Sequence, residues 1–268
     1  MWRGRIISIW VKLFRSDLKL NIITCLYRKE LSLSNLRGEL GSSGSTILHA
    51  INDLDINGLT EKSGKLYKLT SLGYMYAVLL DDITSSITTL TKFHDFWLDH
   101  DVSIIPEYLL KRVSLLKEAL IVTNDSIELD RVHSTFQEIL LASKQVFGVS
   151  PIFHSDYITT FQKMLRGGAY VELVLTPEVL NKTLEFADFE EIYEYIRKEK
   201  LKLFLVDSLR VALTVTEKSF SLGLFTTDGI YDYTKDLVSN NCEVIEWGKR
   251  LFNEFSRTGR RLDVSELR

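Results

Sequence analysis

The chain has few residues of the kinds that usually announce chemistry. It holds two cysteines, three prolines and five histidines in 268 residues. So little proline, beside 14 glycines, argues against long unstructured linkers. Cys25 and Cys242 lie too far apart in sequence for a metal-binding pair, and the histidines show no ligand spacing. No metal site and no cofactor is therefore expected. Both cysteines read as reduced thiols of an intracellular, cytoplasmic protein.

Long apolar runs are missing too. Leu69 to Leu80 is uncharged and ends at Asp81-Asp82, whereas a membrane-spanning helix needs about 20 residues. No small-residue cleavage site follows MWRGRIISIWVKLF, so a signal peptide is not expected. That segment reads instead as an extra amphipathic helix for contact with a partner subunit. No phosphate-cradling loop, GxSxG elbow or GxGxxG fingerprint occurs. His49, His94, His100, His133 and His154 all lack a lysine two positions on, which a His-x-Lys phosphodiesterase would need. His154 with Asp156 reads as a surface pair in a strand-to-helix loop.

What is present begins with charge. Residues 1–75 hold 11 Lys and Arg against 6 Asp and Glu, net +5, while the whole chain is −3. A basic first quarter on an acidic chain suits contact of one end with a polyanion.

That quarter also carries a pattern. SDLKLNIITCLYRK (16–29) spaces its apolar residues as a first helix, and SNLRGEL (34–40) as a second, shorter one. In SSGSTILHAINDLDINGL (42–59), Ile47, Leu48, Ile51, Leu54 and Leu59 form one apolar stripe. Ser42 and Ser43 can cap that helix, and Gly58 can end it. Ser45, His49, Asn52 and Ile56 fall opposite the stripe. Leu59–Lys62 and Leu66–Thr70 then flank Ser63-Gly64-Lys65 as a tight hairpin. Three helices and a hairpin in that order predict a winged helix-turn-helix. Ser43, Ser45, Thr46, His49 and Asn52 are its expected DNA-facing residues, with Lys62, Lys65 and Lys68 on phosphates. The plainer alternative is a generic three-helix core with a stray hairpin.

Thr70 to Phe96 reads as one long helix, which is either a dimer contact or buried within a subunit. Beyond it the pattern alternates. Pro106 opens a helix through EYLLKRVSLLKEALIV, and further helices fall at 132–144, 156–166, 189–200 and 244–255. Strands are expected at VFGVSPIF, at 171–176 and 201–206, and as a hairpin at 210–229 about Glu217-Lys218. The fold class is thus an α+β winged helix-turn-helix over 1–75, a linker or dimerisation helix over 76–96, and an α/β domain with a substantially parallel sheet over 97–268.

FWLDHDVSIIPEYLLKRVSLL (96–116), GVSPIFHSDY (148–157), VELVLT (171–176), ALTVTEKSFSLGLFTTDGIYD (212–232) and EWGKRLF (246–252) together carry a likeness. In this order and spacing, the chain resembles the archaeal winged-helix regulators of the methanogen type, tied to control of methanogenesis genes and related to a filament-formation regulator. The resemblance implies DNA binding, a homodimer in an archaeal cytoplasm, and a non-catalytic C-terminal domain with a phospholipase D-like sheet. Double-stranded DNA is then the expected partner, and an unidentified small-molecule effector a further one. Ser150, Pro151, Tyr231 and Trp247 are the candidate effector pocket, at a strand end where α/β folds place ligands. In the plainer reading, Pro151 and Trp247 only shape the fold. The function expected is a sequence-specific transcriptional regulator. A winged-helix protein-interaction adaptor is the alternative, and an unrecognised hydrolase a third.

Overall fold

In a computed structural model describing residues 15–124, 126–263 and 265, contacts divide the chain into two compact units between Ile87 and Thr88. The amphipathic segment expected before Arg15 lies outside the described residues.

The first unit is built by local capping. Ser16 Oγ accepts from Lys19 N at 3.4 Å and starts α1 (Asp17–Arg28). After the short strand β1 (Leu31–Ser32), Ser32 and Asn35 form a reciprocal capping box that opens α2 (Leu33–Leu40). Gly41, at φ +63°, ends α2 in the left-handed conformation that glycine adopts without penalty. Ser43 then opens α3 (Gly44–Ile56), accepting from Thr46 N at 3.2 Å. Ser42 takes no part in that cap; its hydroxyl donates to Leu40 O at 3.4 Å.

Strands β2 (Thr60–Ser63) and β3 (Leu66–Leu69) follow, and the sheet order is β1-β3-β2, all antiparallel. Ser63 pairs with Leu66, so the turn is only Gly64-Lys65, and Lys65 sits at its tip. Gly64 at φ +61° supplies the left-handed residue that such a turn demands. Ile22, Ile23, Leu36, Ile47, Ile51 and Leu59 form the core. Leu48, placed in the apolar stripe by spacing, is more than a third exposed. It lies one residue beyond Ile47, and a helix turns by about 100° per residue.

The helix α4 (Ser71–Lys92) begins against the hairpin. Thr70 Oγ1 donates to Gly58 O at 2.6 Å and accepts from Gly73 N at 3.0 Å. A Cβ at Gly73 would lie 1.8 Å from Leu59 O, so only glycine allows this approach. The long helix expected to reach Phe96 breaks instead. α4 ends at Lys92, and a separate α5 (His94–Asp99) begins after Phe93, which is buried.

The second unit holds an eight-stranded sheet of β4 (Leu120–Thr123), β5 (Gln145–Ser150), β6 (Tyr170–Leu175), β7 (Leu201–Leu205), β8 (Val211–Thr216), β9 (Phe220–Leu224), β10 (Lys235–Ser239) and β11 (Arg260–Arg261). Its order is β11-β7-β6-β5-β8-β9-β10-β4. Only β5-β6 and β6-β7 are parallel. The expectation of a substantially parallel sheet is therefore corrected, and the architecture is α+β. Parallel strands need a crossover, and helices separate β5, β6 and β7 in sequence; the run from β8 to β10 has no intervening helix and so pairs antiparallel. The helix expected through 107–122 is also replaced. It becomes a short α6 (Glu107–Leu110), a 3₁₀ turn (Val113–Glu118) and the edge strand β4.

The two faces of this sheet have different partners. Alternation sends Val174, Leu213, Leu222 and Leu237 to one face, packed with Val244, Trp247 and Phe252 of α11 (Cys242–Thr258). Val171, Leu173 and Leu175 point to the other face. That face is covered by α7 (Arg131–Leu141), α8 (Ser155–Arg166), α9 (Pro177–Phe186) and α10 (Phe189–Arg197). No helix among the described residues is long and apolar enough to cross a membrane.

Candidate functional site

Two sites emerge, one in each unit. In the first, burial of Ile47, Ile51 and Leu54 leaves the opposite side of α3 exposed. Ser45, Thr46, His49 and Asn52 all lie on that exposed side. Ser43 is the N-cap; its hydroxyl stands 2.9 Å from Ser45 Oγ and 2.7 Å from Thr46 Oγ1. Its role is to shape the helix start, where backbone amides suit an anion. Lys19 Nζ on α1 meets Asp53 Oδ2 on α3 at 2.8 Å, which ties the two helices, and the exposed His49 Nδ1 stands 4.0 Å from the same oxygen. Ile56 ends the same face and is 84% exposed.

The three hairpin lysines are not equivalent. Lys68 sits opposite Glu61 in register, with Nζ 3.0 Å from the carboxylate. That hydrogen bond and the charge behind it hold the Lys68 ammonium above its ordinary range. Lys62 reaches over the Tyr67 ring, 5.8 Å from its centroid. Lys62 and Lys65 are exposed, and no carboxylate pairs with them among the described residues. Sequence reading missed Arg37. This exposed residue of α2 has its Cδ 3.3 Å from where a Cβ on Gly44 would stand, so it borders the start of α3. A lone arginine in a short helix gives no pattern; only the packing of α2 on α3 places it there.

In the second unit, a cavity of about 400 Å³ lies on the sheet face that α7–α10 cover. Ser150 and Tyr231, two of the expected effector residues, line it. Pro151 follows β5 and is not among the lining residues. Trp247 is on the opposite face. It is buried in the α11 core, and its Nε1 donates to Leu109 O at 3.0 Å. It is corrected to a packing residue, because α11 covers the other side of the sheet.

Sequence reading did not anticipate Asp236, at the cavity floor in β10. Asp236 is 7% exposed. Its Oδ2 accepts from Ser221 Oγ at 2.6 Å, and its Oδ1 has no hydrogen-bond partner. Burial pushes its carboxyl up to about 7, further raised by Asp232 nearby and opposed by the Ser221 hydrogen bond. Asp236 Oδ1 and Tyr231 Oη stand 2.6 and 2.7 Å from the point a Cβ on Gly223 would occupy, so glycine in β9 opens this room. Burial and the Asp236 charge raise the Tyr231 phenol well above its usual range and push Tyr157 up to about 12. Near the cavity, His133, His154 and Tyr157 stack, with the two imidazole centroids 4.3 Å apart. His133 Nε2 is 3.4 Å from Asp156 Oδ2, and the ligand atoms of His133, His154 and Asp156 lie within 4.8 Å of one another. Three such groups can share a divalent cation. Spacing could not reveal this, because His133 comes from α7 and the others from the start of α8.

Comparisons with known proteins follow the same two-part division. Residues 10–88 match the N-terminal domain of the methanogenesis regulatory protein FilR1, and residues 129–258 match its middle domain. The curated FilR1 of Methanothrix harundinacea (strain 6Ac) is 33% identical over 263 residues, covering 96% of this chain and 59% of that protein. The chain thus spans about three fifths of that relative's length. Among solved structures, TrmBL2, an archaeal chromatin protein, is 13% identical with a TM-score of 0.42, covering 97% of this chain and 100% of that one. A transcriptional regulator of Alicyclobacillus acidocaldarius is 12% identical with a TM-score of 0.25, covering 93% and 96%. Scores this low carry no argument. The two matched domains, in order along the chain, place it in the methanogenesis regulatory protein FilR1 family.

Proposed function

We propose that the chain is a sequence-specific DNA-binding transcriptional regulator of archaeal metabolic genes, with a winged helix-turn-helix in the first unit. The observation that carries this is the exposed polar face of α3, Ser45, Thr46, His49 and Asn52, with Lys62 and Lys65 on the neighbouring hairpin. Small hydrogen-bonding side chains on a helix suit base edges in a major groove, and hairpin lysines suit phosphates. The name of the 33% identical relative, a methanogenesis regulatory protein, agrees with this reading. In it, residues 1–75 bind DNA, 76–96 join two copies, and 97–268 form a sensing domain in the cytoplasm. A phospholipase D-like, non-catalytic sheet remains part of the same reading.

A homodimer rests on α4. Leu72, Met75, Leu79, Ile83 and Ile87 recur at steps of three and four, and all are exposed. Such a stripe on a helix suits the same stripe of a second copy. The experiment for DNA binding is a titration of duplex DNA at rising salt, because phosphate contacts make affinity fall steeply with ionic strength.

One observation favours a second reading. Ile56 is 84% exposed at the end of the α3 face, where an apolar residue suits a protein partner. A winged-helix adaptor would bind protein through this face and show no salt-sensitive DNA affinity.

A further inference from the structure

We infer that the cavity of the second unit binds a small organic cation, a protonated amine with an apolar body, held by the Asp236 carboxylate. This rests on the reading of that unit as a sensing domain and names the chemical class it senses.

Charge decides the class first. The described residues lining the cavity include Asp130, Asp156 and Asp236, with the imidazoles of His133 and His154 and no lysine or arginine. An anionic metabolite entering would lose its hydration and meet three carboxylates, with only the two imidazoles beside Asp156 as counter-groups, so a phosphate or carboxylate is disfavoured. A cation meets the reverse situation.

The orphaned oxygen decides the position. A buried carboxylate oxygen without a partner is costly, and native proteins rarely leave one unless something binds there. Ser221 satisfies Oδ2 and leaves Oδ1 open. A charged N–H donor would complete the carboxylate with the stronger class of hydrogen bond. Tyr231 Oη, beside the same Gly223 gap, offers an acceptor for a second ammonium hydrogen.

The walls decide the rest of the ligand. Phe136, Phe161, Leu173, Leu175 and Leu203 line the cavity, so the body must be apolar. Tyr157 adds an aromatic face that attracts a cation, and its phenol is neutral at physiological pH. A volume of about 400 Å³ accepts a molecule of one ring or a short chain.

The test uses the full-length protein and three probes of nearly one shape: phenethylamine, 2-phenylethanol and 3-phenylpropionate. Calorimetric titration should show saturable binding of the amine, binding of the alcohol at least roughly tenfold weaker, and none of the carboxylate. Asp236→Asn should weaken the amine at least roughly tenfold while leaving the alcohol unchanged. Its thermal unfolding is recorded in parallel to show that it folds. Should Asp236→Asn fail to fold, Tyr231→Phe provides the second variant. It removes the second acceptor and should weaken the amine more than the alcohol. Equal binding of the three probes, preference for the carboxylate, undiminished amine binding by folded Asp236→Asn, or no amine binding at millimolar concentration overturns the inference. Salt-dependent DNA binding, measured on the same preparation without amine, separates the two readings. If DNA binds and the amine does not, only this inference falls.

Discussion

Lys68 Nζ lies 3.0 Å from the Glu61 carboxylate across the hairpin, paired in strand register. The pair spends one of three hairpin charges inside the protein, so the lysines should not contribute equally to DNA binding. Lys65, at the turn tip, should matter most. Lys65→Gln should weaken binding to all duplex sequences and lower the slope of log K against log salt by about 1. Lys68→Gln should have a smaller effect, and Glu61→Gln should tighten binding by releasing Lys68. Fluorescence anisotropy at several salt concentrations reads all three.

His49 and Asn52 sit on the exposed face of α3. His49→Ala should change which sequences are preferred, by about 1–3 kcal/mol at the affected base pair, with little change in the salt slope. Selection of bound DNA from a random pool, run with both proteins, would show the altered preference. An identical selected motif would remove His49 from the base-reading set.

Gly73 approaches Leu59 O so closely that a Cβ would stand 1.8 Å from it. Gly73→Ala must push α4 away from the hairpin, at a cost of about 1–3 kcal/mol or more. Urea unfolding followed by circular dichroism measures this. In the second unit, Trp247→Phe should cost a comparable amount, because the smaller ring leaves a void and Leu109 O keeps only its Arg112 N donor.

Asp236 predicts an unusual pH dependence. Its carboxyl is raised from 3.8 to about 7 in the folded protein, with Asp232, Tyr231 and Tyr157 nearby. Between these values the folded state keeps a proton that the unfolded state has lost. The group therefore destabilises the fold as pH rises from about 4 to 7, by at most about 4 kcal/mol, and the cost is absent below that window. Asp236→Asn should raise the melting temperature at pH 8 and change it little at pH 4. A uniform shift at both would show that burial of the carboxylate is not the cause.

The readable parts of the sequence were those set by local periodicity. Helix α3 followed from the spacing of Ile47, Ile51 and Leu54, and the hairpin from Gly64. Strand β4 was not readable, because VSLLKEALIV has helical spacing, and only pairing of Ile121 with Leu237 makes its end a strand. The sheet order could not be read either, since nothing local says that β8 inserts beside β5. The cavity was hidden for the same reason. Ser221, Asp236 and His133 come from separate elements, and their chemistry exists only once β9, β10 and α7 are assembled. Ser150 and Tyr231 were found at a strand end and a loop, whereas Trp247 was misplaced because alternation around the sheet, and not the presence of an aromatic, decides which face a residue joins.

In the proposed function, the exposed face of α3 and the Gly64-Lys65 hairpin bind duplex DNA. The most direct measurement is the affinity of the purified chain for duplex DNA between about 50 and 200 mM salt, where phosphate contacts govern binding. Binding should weaken linearly on a log–log plot, with a shallower slope for Lys65→Gln. No binding at the lowest salt, or a slope that Lys65→Gln leaves unchanged, would contradict it.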